Sequence, residues 1–134
     1  MLIPHSDLMC LLDGVTEWDE RSIVCISNTH RDSVNPLRRD GRLSGVHAFE
    51  YAAQAIAVHG GLLARSEGAK APQGYLAALR DARLQVVRLD QVVSPLQICA
   101  YRLFGDTANT VYQCRVSAGN VSLADGRITI ILPA

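Results

Sequence analysis

The chain has 134 residues, with 13 Lys and Arg against 13 Asp and Glu, so it is one domain long and carries no global field to draw in nucleic acid or an anionic membrane. Hydrophobic residues make up 49% and aromatic residues only 5%, which argues against disorder and for a core of aliphatic side chains and alanine. No apolar run reaches the roughly eighteen residues that a membrane-spanning helix needs.

The start, Met1-Leu2-Ile3-Pro4-His5-Ser6-Asp7, has no basic segment followed by a long apolar one, so a cytoplasmic location is expected. Residues 8–12 form a short apolar cluster, Asp13-Gly14 a turn, and residues 15–18 a first strand. The β-branched run 22–27 follows, which suggests a hairpin or one long bent strand. Residues 29–42 read as a loop punctuated by Pro36 and Gly41. The four cysteines, Cys10, Cys25, Cys99 and Cys114, show no C-x-x-C pair and are read as buried free thiols.

Ser44 suits the N-cap of a helix over residues 46–58, and Gly60-Gly61 is expected to weaken or end it after about four turns. The helix is apolar nearly all round, with Phe49, Ala53, Ile56, Ala57 and Leu63 read as facing a sheet. Ala52 and Ala55 are read as room for a second close neighbour, such as another subunit. His47, Glu50 and Gln54 stand at i, i+3 and i+7 and form one narrow polar line. Glu50 is the outstanding member. An unpaired carboxylate in such a helix costs several kcal/mol to bury, so it is either satisfied by a partner or used as one.

Residues 66–73 form a polar connection, and residues 74–87, 96–104, 110–116 and 121–132 read as strands. Turns are placed at 89–95, 105–106, 119–120 and 125–126. One long helix followed by four strands is an α+β plan, a single domain over residues 1–134 with the helix laid on an antiparallel sheet.

Several segments together resemble a known family. Ile3-Pro4-His5 through Leu11-Leu12-Asp13 is similar to the opening of the β-hydroxyacyl-acyl-carrier-protein dehydratases, which have the hotdog fold. Gly45-Val46, Glu50-Tyr51-Ala52-Ala53-Gln54, the strand from Gly74 to Leu84 and the closing segment from Leu123 to Leu132 match their counterparts in order. His30-Arg31-Asp32 and Asn35-Pro36-Leu37-Arg38 resemble more narrowly the predicted dehydratases of aryl polyene pathways. The resemblance implies a hotdog dimer, homomeric or heteromeric, whose two chains join their sheets and share two sites. It implies dehydration of a (3R)-hydroxyacyl thioester, carried by acyl-carrier protein or coenzyme A, in fatty acid or polyene lipid biosynthesis.

In that family a loop histidine abstracts the α-proton and the helix acid, here Glu50, handles the departing hydroxyl. Backbone N–H groups at the helix start, here Gly45 and Val46, polarise the thioester carbonyl beside Gln54. The spacing places the loop histidine at about Pro36 counting back from Glu50, or near Arg38 counting forward from Thr29, and neither is histidine. Three readings stay open. His30 takes the missing role as base, or Asn35 and Glu50 act together in thioester hydrolysis, or the chain is a catalytically weak subunit paired with an active homologue. Arg38, Arg39 and Arg42 form a basic cluster suited to a phosphopantetheine phosphate or an acidic carrier surface.

His47 could touch Glu50 or substrate but is read as a capping or interface residue. His5 is read as structural and His59 as an imidazole at the helix C-terminal end. No set of residues has metal-ligand spacing, so neither metal nor cofactor is expected.

Overall fold

β1 (Gly14–Trp18) and β2 (Ser22–Ser27) make the expected hairpin in the computed structural model, which describes residues 10–68, 75–106 and 109–131. Their turn closes on Asp19, whose Oδ1 accepts the N–H groups of Arg21 and Ser22, each at 2.8 Å. These bonds, that from Arg21 foremost, hold the Asp19 carboxyl below the usual carboxylate range.

After the loop, Ser44 in extended conformation receives the N–H of Val46 on its hydroxyl, and a single 3₁₀ turn over Gly45–His47 leads into α1 (Ala48–Ser66). The helix does not end at Gly60-Gly61. His59 and Leu62 are buried on either side of the pair, and their packing outweighs a local cost of about 1 kcal/mol per glycine. The buried face also differs from the expected one. It holds Ala48, Phe49, Tyr51, Ala52, Ala55, Ile56, His59 and Leu62, whereas Ala53 and Leu63 are half-buried and Ala57 is exposed. Ala48, Ala52 and Ala55 are covered by the chain itself, since their small side chains let α1 lie close upon the sheet.

β3 (Tyr75–Leu84), β4 (Leu96–Gly105), β5 (Asn109–Ala118) and β6 (Val121–Ile131) complete one antiparallel sheet of six strands in the order β1-β2-β4-β5-β6-β3. α1 crosses it against β2, β4, β5 and β6 and carries the chain to the far edge. This helix wrapped by a bent antiparallel sheet is the hotdog fold. The core gathers Leu11, Leu12, Ile23, Leu96, Ile98 and Ile128 with the buried side of the helix.

Asp125-Gly126 is no turn. Both residues sit inside β6, opposite Arg115 and Cys114. A Cβ on Gly126 would stand 3.1 Å from Leu79 Cδ1 and 3.4 Å from Phe49 Cε1, so this glycine permits close packing rather than chain reversal. Both edge strands are broken by bulges, and the second of the two in β3 has Asp81 at φ 52°.

All four cysteines are free, and burial pushes the thiols of Cys25 and Cys114 up to about 12, which makes them unreactive. Among the described residues no helix is long and apolar enough to cross a membrane. The family-like opening Ile3-Pro4-His5 lies outside the described residues, as do residues 69–74.

A Cβ on Gly60 or Gly61 would meet no atom within 4 Å. Gly60→Ala and Gly61→Ala should therefore each raise stability by about 0.5–1 kcal/mol in urea unfolding. A loss of stability in either variant would show that this stretch of α1 is not helical or not open.

Candidate functional site

Glu50 lies in the first turn of α1, where a carboxylate is favoured by the helix dipole. Its side chain is 46% exposed and that of His47 is 25% exposed, so the carboxylate does not face a full desolvation penalty. His47 Nδ1 donates to Glu50 Oε1 at 3.0 Å. Gln54, the third member of the polar line, turns elsewhere. Its Oε1 accepts the N–H of Leu11 at 2.8 Å and ties the segment before β1 to the helix.

The loop residues are committed to the fold. His30, in a 3₁₀ turn over Thr29–Arg31, is wholly buried, and its Nε2 donates to the carbonyl of Val92 at 3.0 Å. Its Nδ1 is buried without a hydrogen bond. Burial lowers the basicity of this imidazole, and no hydrogen bond or ion pair joins it to Glu50 of its own chain. Asn35 Nδ2 donates to the carbonyl of Thr29 at 2.8 Å and to the Tyr51 hydroxyl at 3.1 Å, while its Oδ1 accepts the N–H of Leu37 at 2.9 Å. Tyr51, with no exposed surface, donates in turn to Thr29 Oγ1 at 2.8 Å, and Thr29 Oγ1 donates to the carbonyl of Leu11 at 2.7 Å.

Arg38 likewise staples the loop. Its guanidinium donates to the carbonyls of Asp32 at 2.7 Å, Gly41 at 2.9 Å and His30 at 3.2 Å. Arg39 bonds the carbonyls of Pro36 and Arg38 through one nitrogen, yet it is exposed, as is Arg42. Between them Asp40 at φ 53° and Gly41 at φ 73° make the tight turn that brings Arg39 opposite Arg42.

At the helix start, the N–H of Gly45 donates to the carbonyl of Val87 at 2.7 Å. A Cβ on Gly45 would lie 2.0 Å from the carbonyl oxygen of Val86. The glycine is thus required by the connection that follows β3. That connection is fixed further by the N–H of Leu89 on the carbonyl of Leu43 at 2.8 Å and by Arg88 and Asp90, whose ion pair holds the Asp90 carboxyl well below the usual range. The N–H of Val46 is held more loosely, by the rotatable Ser44 hydroxyl at 3.3 Å, and Val46 itself is 51% exposed.

The sequence reading undervalued two residues of this region and misplaced a third. His47 is the partner of Glu50, a pairing that the i, i+3 spacing already allowed. Tyr51 holds the loop, a task its hydroxyl in an apolar helix could have signalled. His59 is buried in mid-helix, because α1 continues beyond Gly61. Its Nδ1 accepts from the Tyr112 hydroxyl at 2.5 Å, and its Nε2 donates to the carbonyl of Asp19 at 2.7 Å. Among the described residues no group of three His, Cys, Asp or Glu side chains could hold a metal ion.

The ApeP-like family model, described as ApeP dehydratase, matches residues 1–134. The chain belongs to the ApeP-like dehydratase family. It is 30% identical to a chain of the dehydratase heterocomplex ApeI:P from Xenorhabdus doucetiae, with a TM-score of 0.86 over 98% of this chain and 88% of that one. Thioesterase HI1161 from Haemophilus influenzae shares the fold at TM-score 0.64 and 13% identity, over 89% of this chain and 76% of the other. A hypothetical thioesterase with coenzyme A from Streptococcus pneumoniae does so at 0.61 and 15%, over 90% and 85%. No curated protein matches the chain.

Two measurements test how this ApeP-like site is held. Gly45→Ala should cost about 3 kcal/mol or leave the chain insoluble, because the new methyl meets backbone rather than a movable side chain. A variant as stable as the parent in urea unfolding would contradict the close approach to Val86. The second measurement is the pH dependence of stability. Burial lowers the folded-state pKa of both His30 and His59, so the unfolded chain binds protons more readily than the folded one. The stabilisation is complete above the unfolded histidine value of about 6.5 and is lost as pH falls below it. The melting temperature should therefore be level above about pH 7 and decline from roughly pH 6.5 downward, before the carboxylates titrate. A flat profile down to about pH 5 would contradict the burial of these two imidazoles.

Proposed function

We propose that this chain is the Glu50-bearing half of a two-chain dehydratase that removes water from a (3R)-hydroxyacyl thioester to give the trans-2-enoyl product, in fatty acid or polyene lipid biosynthesis. The observation that carries the reading is the division at the helix start. The Glu50 carboxylate is half exposed and oriented by His47, while the loop residues that could stand in for the missing histidine, His30 and Asn35, are engaged within the fold. Such a chain supplies the acid, and a hotdog homologue across the dimer shares the site. The heteromeric assembly of the Xenorhabdus relative supports this arrangement.

The carbonyl of the thioester would take the N–H of Val46, displacing the Ser44 hydroxyl from its long bond. Arg39 and Arg42, exposed on the neighbouring loop, suit the phosphate of a phosphopantetheine arm or an acidic carrier protein, whereas Arg38 orders the loop beneath them. Hydrolysis through Asn35 is the weaker reading, since all three of its hydrogen bonds serve the chain itself. The cytoplasm, where thiols stay reduced, suits four free cysteines.

Purified chain, alone and with a co-encoded hotdog homologue, should be incubated with a (3R)-hydroxyacyl thioester while enoyl product and free thiol are followed separately. Enoyl product is expected with the homologue present, reduced roughly 100-fold or more by Glu50→Gln. Thiol release without enoyl product, or full dehydration by the Glu50→Gln complex, would overturn the proposal.

A further inference from the structure

We infer that the base of this site is also on the chain, as His47, so that His47 and Glu50 form a complete acid–base pair at the start of the helix. The inference rests on the dehydratase reading and adds to it the source of the proton abstraction.

Of the three histidines among the described residues, His30 and His59 have no exposed surface, and three of their four ring nitrogens are hydrogen-bonded to the fold. The fourth, Nδ1 of His30, is itself buried. His47 alone retains an exposed side chain. Its Nδ1 is engaged by Glu50 Oε1 at 3.0 Å, which fixes the tautomer, and among the described residues its Nε2 has no hydrogen-bond partner. A carboxylate on one ring nitrogen orients an imidazole, leaves the other nitrogen as the acceptor and stabilises the imidazolium that forms when a proton arrives.

The surroundings suit a thioester. His47 directly follows Val46, whose N–H is held only by the 3.3 Å bond to Ser44 and whose side chain is half exposed, so a bound carbonyl and the acidified C2 would both lie beside the same turn. Glu50 is one helical turn further along, on the same face. An ordinary surface pair at i, i+3 is worth only about 0.2–0.5 kcal/mol, too little to require a histidine.

The step balances without a further reactant. Nε2 of His47 takes the C2 proton, the C2–H electron pair becomes the C2=C3 double bond, and the C3–O bond breaks with its pair on oxygen. The Nδ1 proton passes to Glu50 through the existing hydrogen bond, and Glu50 delivers it to the oxygen, which leaves as water. Exchange with solvent then resets the imidazole tautomer.

The test separates the base from the acid. The assembled protein, with and without His47→Gln, is placed in deuterated water with a saturated acyl thioester, which lacks a hydroxyl, and deuterium entry at C2 is followed by mass spectrometry. Exchange should fall roughly 100-fold or more in His47→Gln and recover in part with added imidazole. Nitrogen-15 NMR of the parent should show a protonated Nδ1 and a bare Nε2 on His47, with this preference lost in Glu50→Gln. Exchange and dehydration within twofold of the parent in His47→Gln would overturn the inference while leaving the Glu50 reading standing. A parent that forms no enoyl product at all would remove both.

Discussion

The hydroxyl of Tyr51 is buried on the sheet-facing side of α1, and one side of the molecule is arranged to satisfy it. A buried hydroxyl left without a partner costs about 1–3 kcal/mol, so partners must be brought to it. Thr29 and Asn35 come from the loop and Leu11 from the segment before β1, each through bonds of 2.7–3.1 Å. These residues are drawn inward and hydrogen-bonded within the fold. Arg38 reinforces the same loop from outside by bonding three of its carbonyls.

The consequence is felt at the helix start. The connection after β3 passes so close that only glycine fits at position 45, and it takes the N–H that would otherwise point at a ligand. Beside it stand the loosely held N–H of Val46 and the partly exposed pair of His47 and Glu50. A polarising donor, an acceptor and an acid within two turns are the groups that elimination from a hydroxyacyl thioester requires.

Much of this was legible in the sequence. The β-branched runs located the strands, Ser44 marked the helix start, and the order of the family-like segments gave the hotdog fold. The misreadings have a shared physical cause, because local signals at Gly60-Gly61 and Asp125-Gly126 were overridden by tertiary packing that a sequence does not display. Gly126 is needed for the contact with Phe49 and Leu79, and His59 finds its partners in Tyr112 and the carbonyl of Asp19, far away in the chain. Glu50 proves to be a half-exposed carboxylate in the first helical turn rather than a buried charge. Its partner lies three residues earlier, in a pairing that spacing permits but cannot establish.

The central claim is that chemistry belongs to the first turn of α1 and not to the loop. A crystal structure of the assembled protein with an unreactive hydroxyacyl thioester analogue tests it most directly. The account predicts the carbonyl oxygen on the N–H of Val46 and C2 at about 3–3.5 Å from His47 Nε2, with Glu50 facing the hydroxyl. An analogue seated instead against His30 or Asn35, with either side chain released from its present hydrogen bonds, would contradict it.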